Sequence, residues 1–107
     1  MHEPVKVTFG NATAYYRINV GTIIKIKEKT GLDFYAKDDA NSPLAHPVNA
    51  VRAIQAIAEP PIDLSGVSGE ELVQIYADFG KEATLFFPAD KAESLGLLKT
   101  SLEKASP

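Results

Sequence analysis

The chain has no cysteine among its 107 residues. That excludes disulfide staples, thiolate nucleophiles and cysteine-ligated zinc together. It has two histidines, His2 and His46. Asp38, Asp39 and His46 are the one grouping with metal-ligand chemistry, and they read as a solvated loop and a helix start rather than as three or four converging ligands. No apolar run approaches the roughly 20 residues that span a bilayer. No basic stretch followed by an apolar one is seen near Met1, so the expectation is a cytoplasmic protein without membrane contact. Basic charge is scarce as well: the net charge is −3, with seven Lys/Arg against six Asp/Glu over residues 1–59 and four against eight over residues 60–107. Such a balance carries no electrostatic footprint for nucleic acid. The seven glycines are dispersed, and neither a phosphate-cradling Gly-x-x-x-x-Gly-Lys loop nor a nucleophile–base arrangement is present. The sequence therefore predicts no cofactor and no enzyme.

What is present is an ordinary globular composition, 45% hydrophobic and 23% charged, of a length that suits a single domain over residues 1–107. Val5, Val7 and Phe9 alternate with Lys6 and Thr8, the period of a half-buried strand. Gly10-Asn11 supplies a two-residue turn whose glycine tolerates the positive φ of a type II′ hairpin. That turn sets Phe9 opposite Ala12, Val7 opposite Ala14 and Val5 opposite Tyr16. One face then carries Val5, Val7, Phe9, Ala12, Ala14, Tyr16, Ile18 and Val20, and the other carries Lys6, Thr8, Thr13, Tyr15, Arg17 and Asn19. Residues 22–30 admit two readings. As a strand, Ile24 and Ile26 oppose Lys25, Lys27 and Lys29, and the β-branched residues favour it. As a helix, Thr22 is the N-cap, Val20, Ile23 and Ile24 pack inward, and Gly31 stops it.

Further on, a polar loop over residues 36–42 leads to a helix that opens at Pro43 or Pro47 and points Val51, Ile54, Ile57 and Ala58 inward. Pro60-Pro61 ends it. Ser68 and Glu71 form a capping box at the start of a helix with Leu72, Ile75, Tyr76, Phe79, Ala83, Phe86 and Phe87 on one broad stripe. Gly80 marks a candidate break in that helix, and Pro88 its end. A last helix capped by Asp90 carries Leu95, Leu98 and Leu102. The fold class is α+β: an N-terminal antiparallel hairpin packed against three to four helices.

The aromatic stripe is either core or contact surface. A domain this small has limited interior, and two adjacent phenylalanines point about 100° apart on a helix. Tyr76, Phe79, Phe86, Phe87 and Leu98 are therefore the candidate partner-binding residues, with self-association as a second use of the same surface. The Lys25, Lys27 and Lys29 cluster, interrupted by Glu28, reads as a solvated face.

Three short segments carry a resemblance: Lys27-Glu28-Lys29-Thr30-Gly31-Leu32, Gly66-Val67-Ser68-Gly69-Glu70-Glu71 and Phe86-Phe87-Pro88. Their order after an N-terminal hairpin resembles the small tail-assembly-chaperone proteins of long-tailed bacteriophages and prophages. The resemblance implies a helix over residues 22–30. It also implies a non-catalytic protein that keeps a tape-measure or tail-tube protein soluble before assembly. The alternative is a bacterial regulatory or interaction module that binds an unrelated protein.

Overall fold

A computed structural model describes residues 3–87. The fold is α+β: strands β1 (Val5–Phe9) and β2 (Ala12–Tyr16), then helices α1 (Val20–Thr30), α2 (Pro47–Ile57) and α3 (Gly69–Phe86). The expected last helix, with Leu95, Leu98 and Leu102, lies outside the described residues.

The hairpin has the register that its turn dictates, with Val5 opposite Tyr16, Val7 opposite Ala14 and Phe9 opposite Ala12. Gly10 has φ +60°, and Asn11 keeps a negative φ, the pattern of a type II′ turn. Val7, Ala14, Tyr16 and Ile18 are buried, and Lys6 and Thr8 are exposed. Phe9 is half-buried rather than core, and its ring lies over Gly66, where an added Cβ would come within 2.9 Å of it. Ala12 and Val20, expected on the buried face, are exposed: Ala12 sits next to the turn at the start of β2, and Val20 is already the first residue of α1. An isolated two-stranded sheet is marginal in water. Here its inner face is covered by helices, and β2 gains a further partner through a pair of 2.9 Å backbone hydrogen bonds between Tyr15 and Glu59.

Residues 20–30 are helical, against their strand-like alternation. The termini account for this. Asn19, not Thr22, is the N-cap: its side chain accepts from the Thr22 amide at 2.9 Å, and the Thr22 hydroxyl accepts from the Asn19 amide at 2.9 Å. At the other end Gly31 takes the left-handed conformation at φ 78° and donates to the Lys27 carbonyl. Lys27 and Lys29 complement the dipole in the last turn. With the start moved to Val20, Ile26 becomes the fully buried residue of α1, while Ile24 is exposed. Starting at Pro47, α2 buries Val51, Ile54 and Ile57, with Ala58 buried just beyond its end. The loop before it is pinned by Asn49, whose side-chain amide donates to the Ala40 and Ser42 carbonyls at 3.1 and 3.0 Å.

Helix α3 begins with the expected reciprocal capping box of Ser68 and Glu71. It then runs unbroken through Gly80 to Phe86, so the expected break does not occur. Helix-interior glycine costs about 1 kcal/mol relative to alanine, and a Cβ at Gly80 would meet no atom within 4 Å. Gly80→Ala is accordingly expected to raise stability by about 1 kcal/mol. Gly31→Ala, which forces a side chain into the left-handed region, is expected to lower it by about 1–2 kcal/mol. Denaturant midpoints of the two variants measure both. A Gly80→Ala variant less stable than wild type would show that α3 is not continuous there.

Candidate functional site

Four aromatic rings form a column through the core. Tyr16 of β2 meets Phe79 of α3 at a centroid distance of 6.1 Å, Phe79 stacks on Phe34 at 5.9 Å, and Phe34 meets Phe87 at 5.5 Å. Phe34 and Phe79 are fully buried, and Phe87 is 3% exposed. At the Phe87 end the column reaches the surface: Tyr35 and Phe86 both pack edge-on against Phe87, at 5.8 and 5.0 Å. Tyr35 is 52% exposed, Phe86 36%, and Leu85, one residue earlier on α3, 65%. Tyr35 and Phe86, joined through Phe87, make an apolar corner where α3 ends beside the loop that follows α1, and exposed Leu85 precedes Phe86 on the helix.

The five candidates from the sequence are thus divided. Phe79 and Phe87 are core residues and are corrected from partner-binding to structural. By helical period Phe86 continues the inward stripe of Ile75, Phe79 and Ala83. Instead the helix ends at Phe86, and Phe87 takes extended backbone (φ −83°, ψ 138°). That turn swings the Phe87 ring under Phe34 and leaves Phe86 at the surface. Tyr76 is half-buried and anchored, its hydroxyl donating to the Leu44 carbonyl. Leu98 lies outside the described residues. Tyr35 was not singled out from the sequence. Its signal was the apolar alternation of Leu32 and Phe34, which places the intervening Asp33 and the following Tyr35 on the outer side.

Polar chemistry near this framework is structural. Glu82 is 2% exposed and accepts from the Ile18 amide at 3.1 Å, which ties the hairpin exit to α3. Lys27 and Asp33 form an ion pair at 2.9 Å that holds the Asp33 carboxyl below its ordinary range. Asp38 caps the short 3-10 turn Asp39–Asn41, and His46 occupies the N-cap position of α2. Among the described residues, no three His, Asp or Glu side chains converge on a metal-sized site, and no helix is long and apolar enough to cross a membrane. Comparison of the chain with protein-family models, with curated proteins and with solved structures finds no match.

At the far end of the column, the Tyr16 hydroxyl is buried and makes no hydrogen bond among the described residues. Burial, then the negative charges of Asp78 and Glu82, push its pKa above the ordinary 10.0. Above that pH the unfolded chain releases this proton while the folded chain keeps it, so folding stability falls as pH rises. Tyr16→Phe is expected to flatten this alkaline decline, leaving the part contributed by Tyr76, which burial pushes the same way. At neutral pH the variant should be at least as stable as wild type, because an unpartnered buried hydroxyl is removed. Melting curves between pH 8 and 11 test this; a Tyr16→Phe protein with an unchanged alkaline decline and a lower neutral melting point would show that the hydroxyl has a partner.

Proposed function

We propose that this protein is a non-catalytic protein-binding module that docks apolar segments on the Tyr35, Leu85 and Phe86 corner. The observation that carries the reading is the exposure of Tyr35 and Phe86, both held edge-on against the core ring of Phe87, with exposed Leu85 preceding Phe86 on α3. Exposed apolar groups gain free energy when a partner covers them, and rings fixed by packing lose little entropy on binding. The acidic excess of residues 60–107 favours a neutral or basic partner at the rim. The resemblance to tail assembly chaperones supplies the partner class: helical, aggregation-prone segments of a phage tape-measure or tail-tube protein.

The test uses the two adjacent phenylalanines. Phe86→Ser is expected to hold stability within about 1 kcal/mol of wild type, yet to lose the capacity to keep a co-expressed tape-measure protein in the soluble fraction. Phe87→Ser is expected to destabilise the domain by about 3–5 kcal/mol, because it empties a core position. If wild type does not solubilise that protein, the chaperone reading fails. If Phe86→Ser works as well as wild type, the corner is not the docking surface.

A further inference from the structure

A second surface, independent of the apolar corner, lies along β1. In an antiparallel hairpin the residues facing each other alternate between hydrogen-bonded and non-hydrogen-bonded pairs. The two-residue turn makes Phe9–Ala12 a bonded pair, so Val7–Ala14 and Val5–Tyr16 are bonded as well. Tyr15 confirms the parity: its amide and carbonyl point away from β1 and bond Glu59. The amides and carbonyls of Lys6 and Thr8 therefore point outward from the free edge of β1, and they pair with no other backbone group among the described residues. Among the described residues, one edge of the sheet is covered at Tyr15 and the other is open.

The open edge borders a groove of about 190 Å³ between β1 and α3. Residues 5–8 of β1 line one wall. Successive strand side chains alternate between faces, so four consecutive residues can share one groove only by presenting the strand's edge to it. The opposite wall is Glu71, Gln74, Ile75 and Asp78, one face of α3 at helical spacing. Tyr16 also lines the groove, with its unpartnered hydroxyl at the end of the aromatic column.

We propose that this groove is a strand-addition site that takes an extended peptide with basic side chains on alternate residues. The backbone edge supplies the pairing groups, and charge complementarity selects the occupant. Ile75 sits between Glu71 and Asp78, whose backbone positions are about 10.5 Å apart along the helix; one oxygen of Glu71 accepts from the Ser68 amide and one oxygen of Asp78 from the Gln74 side chain. A row of Lys, Val and Lys on alternate residues of an added strand spans about 13 Å, within the reach of flexible lysine stems. A second copy of this chain is the poorer occupant, because it would bring its own acidic α3 against this one.

The test is fluorescence anisotropy of the full chain, at low ionic strength, with the labelled peptide Thr-Lys-Thr-Val-Thr-Lys-Thr, blocked at both ends. Saturable binding is expected, weakened about tenfold or more when both lysines are replaced by glutamate, a change of about 1.4 kcal/mol. Backbone N-methylation then reads the geometry without altering the protein. Methyl groups on alternate amides should abolish binding in one phase and spare it in the other, because only one set of amides faces β1. Asp78→Asn should weaken binding and flatten its salt dependence. Absence of saturable binding, equal binding of the glutamate peptide, or indifference to the phase of methylation would each overturn the proposal. So would a concentration-dependent dimer in sedimentation that Thr8→Pro abolishes, since that would assign the edge to a second copy; proline is tolerated at an edge position whose amide faces outward.

Discussion

The ring of Phe79 is the fixed point of this fold. It is fully buried, touches Tyr16 on one side and Phe34 on the other, and so joins the hairpin, the loop after α1 and α3 in one contact set. Neither the hairpin nor that loop has enough of its own surface to bury. A two-stranded sheet needs a covering layer, and a loop holding Leu32 and Phe34 fully buried needs an apolar wall to receive them. Helix α3 is that wall. The buried Glu82 carboxylate, one turn beyond Phe79 on α3, accepts from the Ile18 amide and locks the same alignment with a directional bond. An alternative packing would have to give up both the aromatic contacts and that charge-assisted hydrogen bond.

The hairpin's register was legible in the sequence because two independent constraints, alternation and turn length, agree on it; the burial of its ends, at Phe9, Ala12 and Val20, was not. The start of α3 was legible for a similar reason, because the Ser68–Glu71 box announces a helix N-terminus chemically; for α2 the sequence left Pro43 and Pro47 open, and the helix begins at Pro47. Residues 20–30 were misleading. Their isoleucine–lysine alternation has strand period, yet Asn19 and Gly31 satisfy both ends of a helix, and only Ile26 is buried deeply. Local period was outvoted by caps that span eleven residues. The expected inward set of Val20, Ile23 and Ile24 is replaced by a face centred on Ile26, with Ile24 exposed. The aromatic stripe failed at its last turn for a related reason. Periodicity extrapolates a helix indefinitely, whereas α3 stops at Phe86 and the extended residue after it exchanges the inner and outer positions of the two phenylalanines.

The same rule that made the hairpin readable also exposes its unfinished edge. Once a two-residue turn is fixed, the outward parity of Lys6 and Thr8 follows from the alternation of bonded and non-bonded pairs. What the sequence did not show is that α3 runs beside that edge with Glu71, Ile75 and Asp78 facing it. That juxtaposition joins residues some seventy positions apart in the chain, and no local pattern encodes it. The apolar corner has the same character, since Tyr35 and Phe86 meet only through Phe87.

Both proposed surfaces adjoin one buried aromatic column, with Tyr16 at the groove and Phe87 beneath the corner. Interiors packed at crystal-like density transmit displacement rather than absorb it. If the proposed surfaces take partners, side chains packed against this column spare part of the ordering cost of association. This places the demand on the partner. A flexible or extended segment can adapt to a preformed groove and a preformed apolar ridge, whereas a rigid globular partner would need matching relief at both. On the two proposals made above, a strand edge unpaired among the described residues, set beside carboxylates, and a separate pair of exposed rings would suit unfolded or helical stretches of another chain better than a finished folded surface.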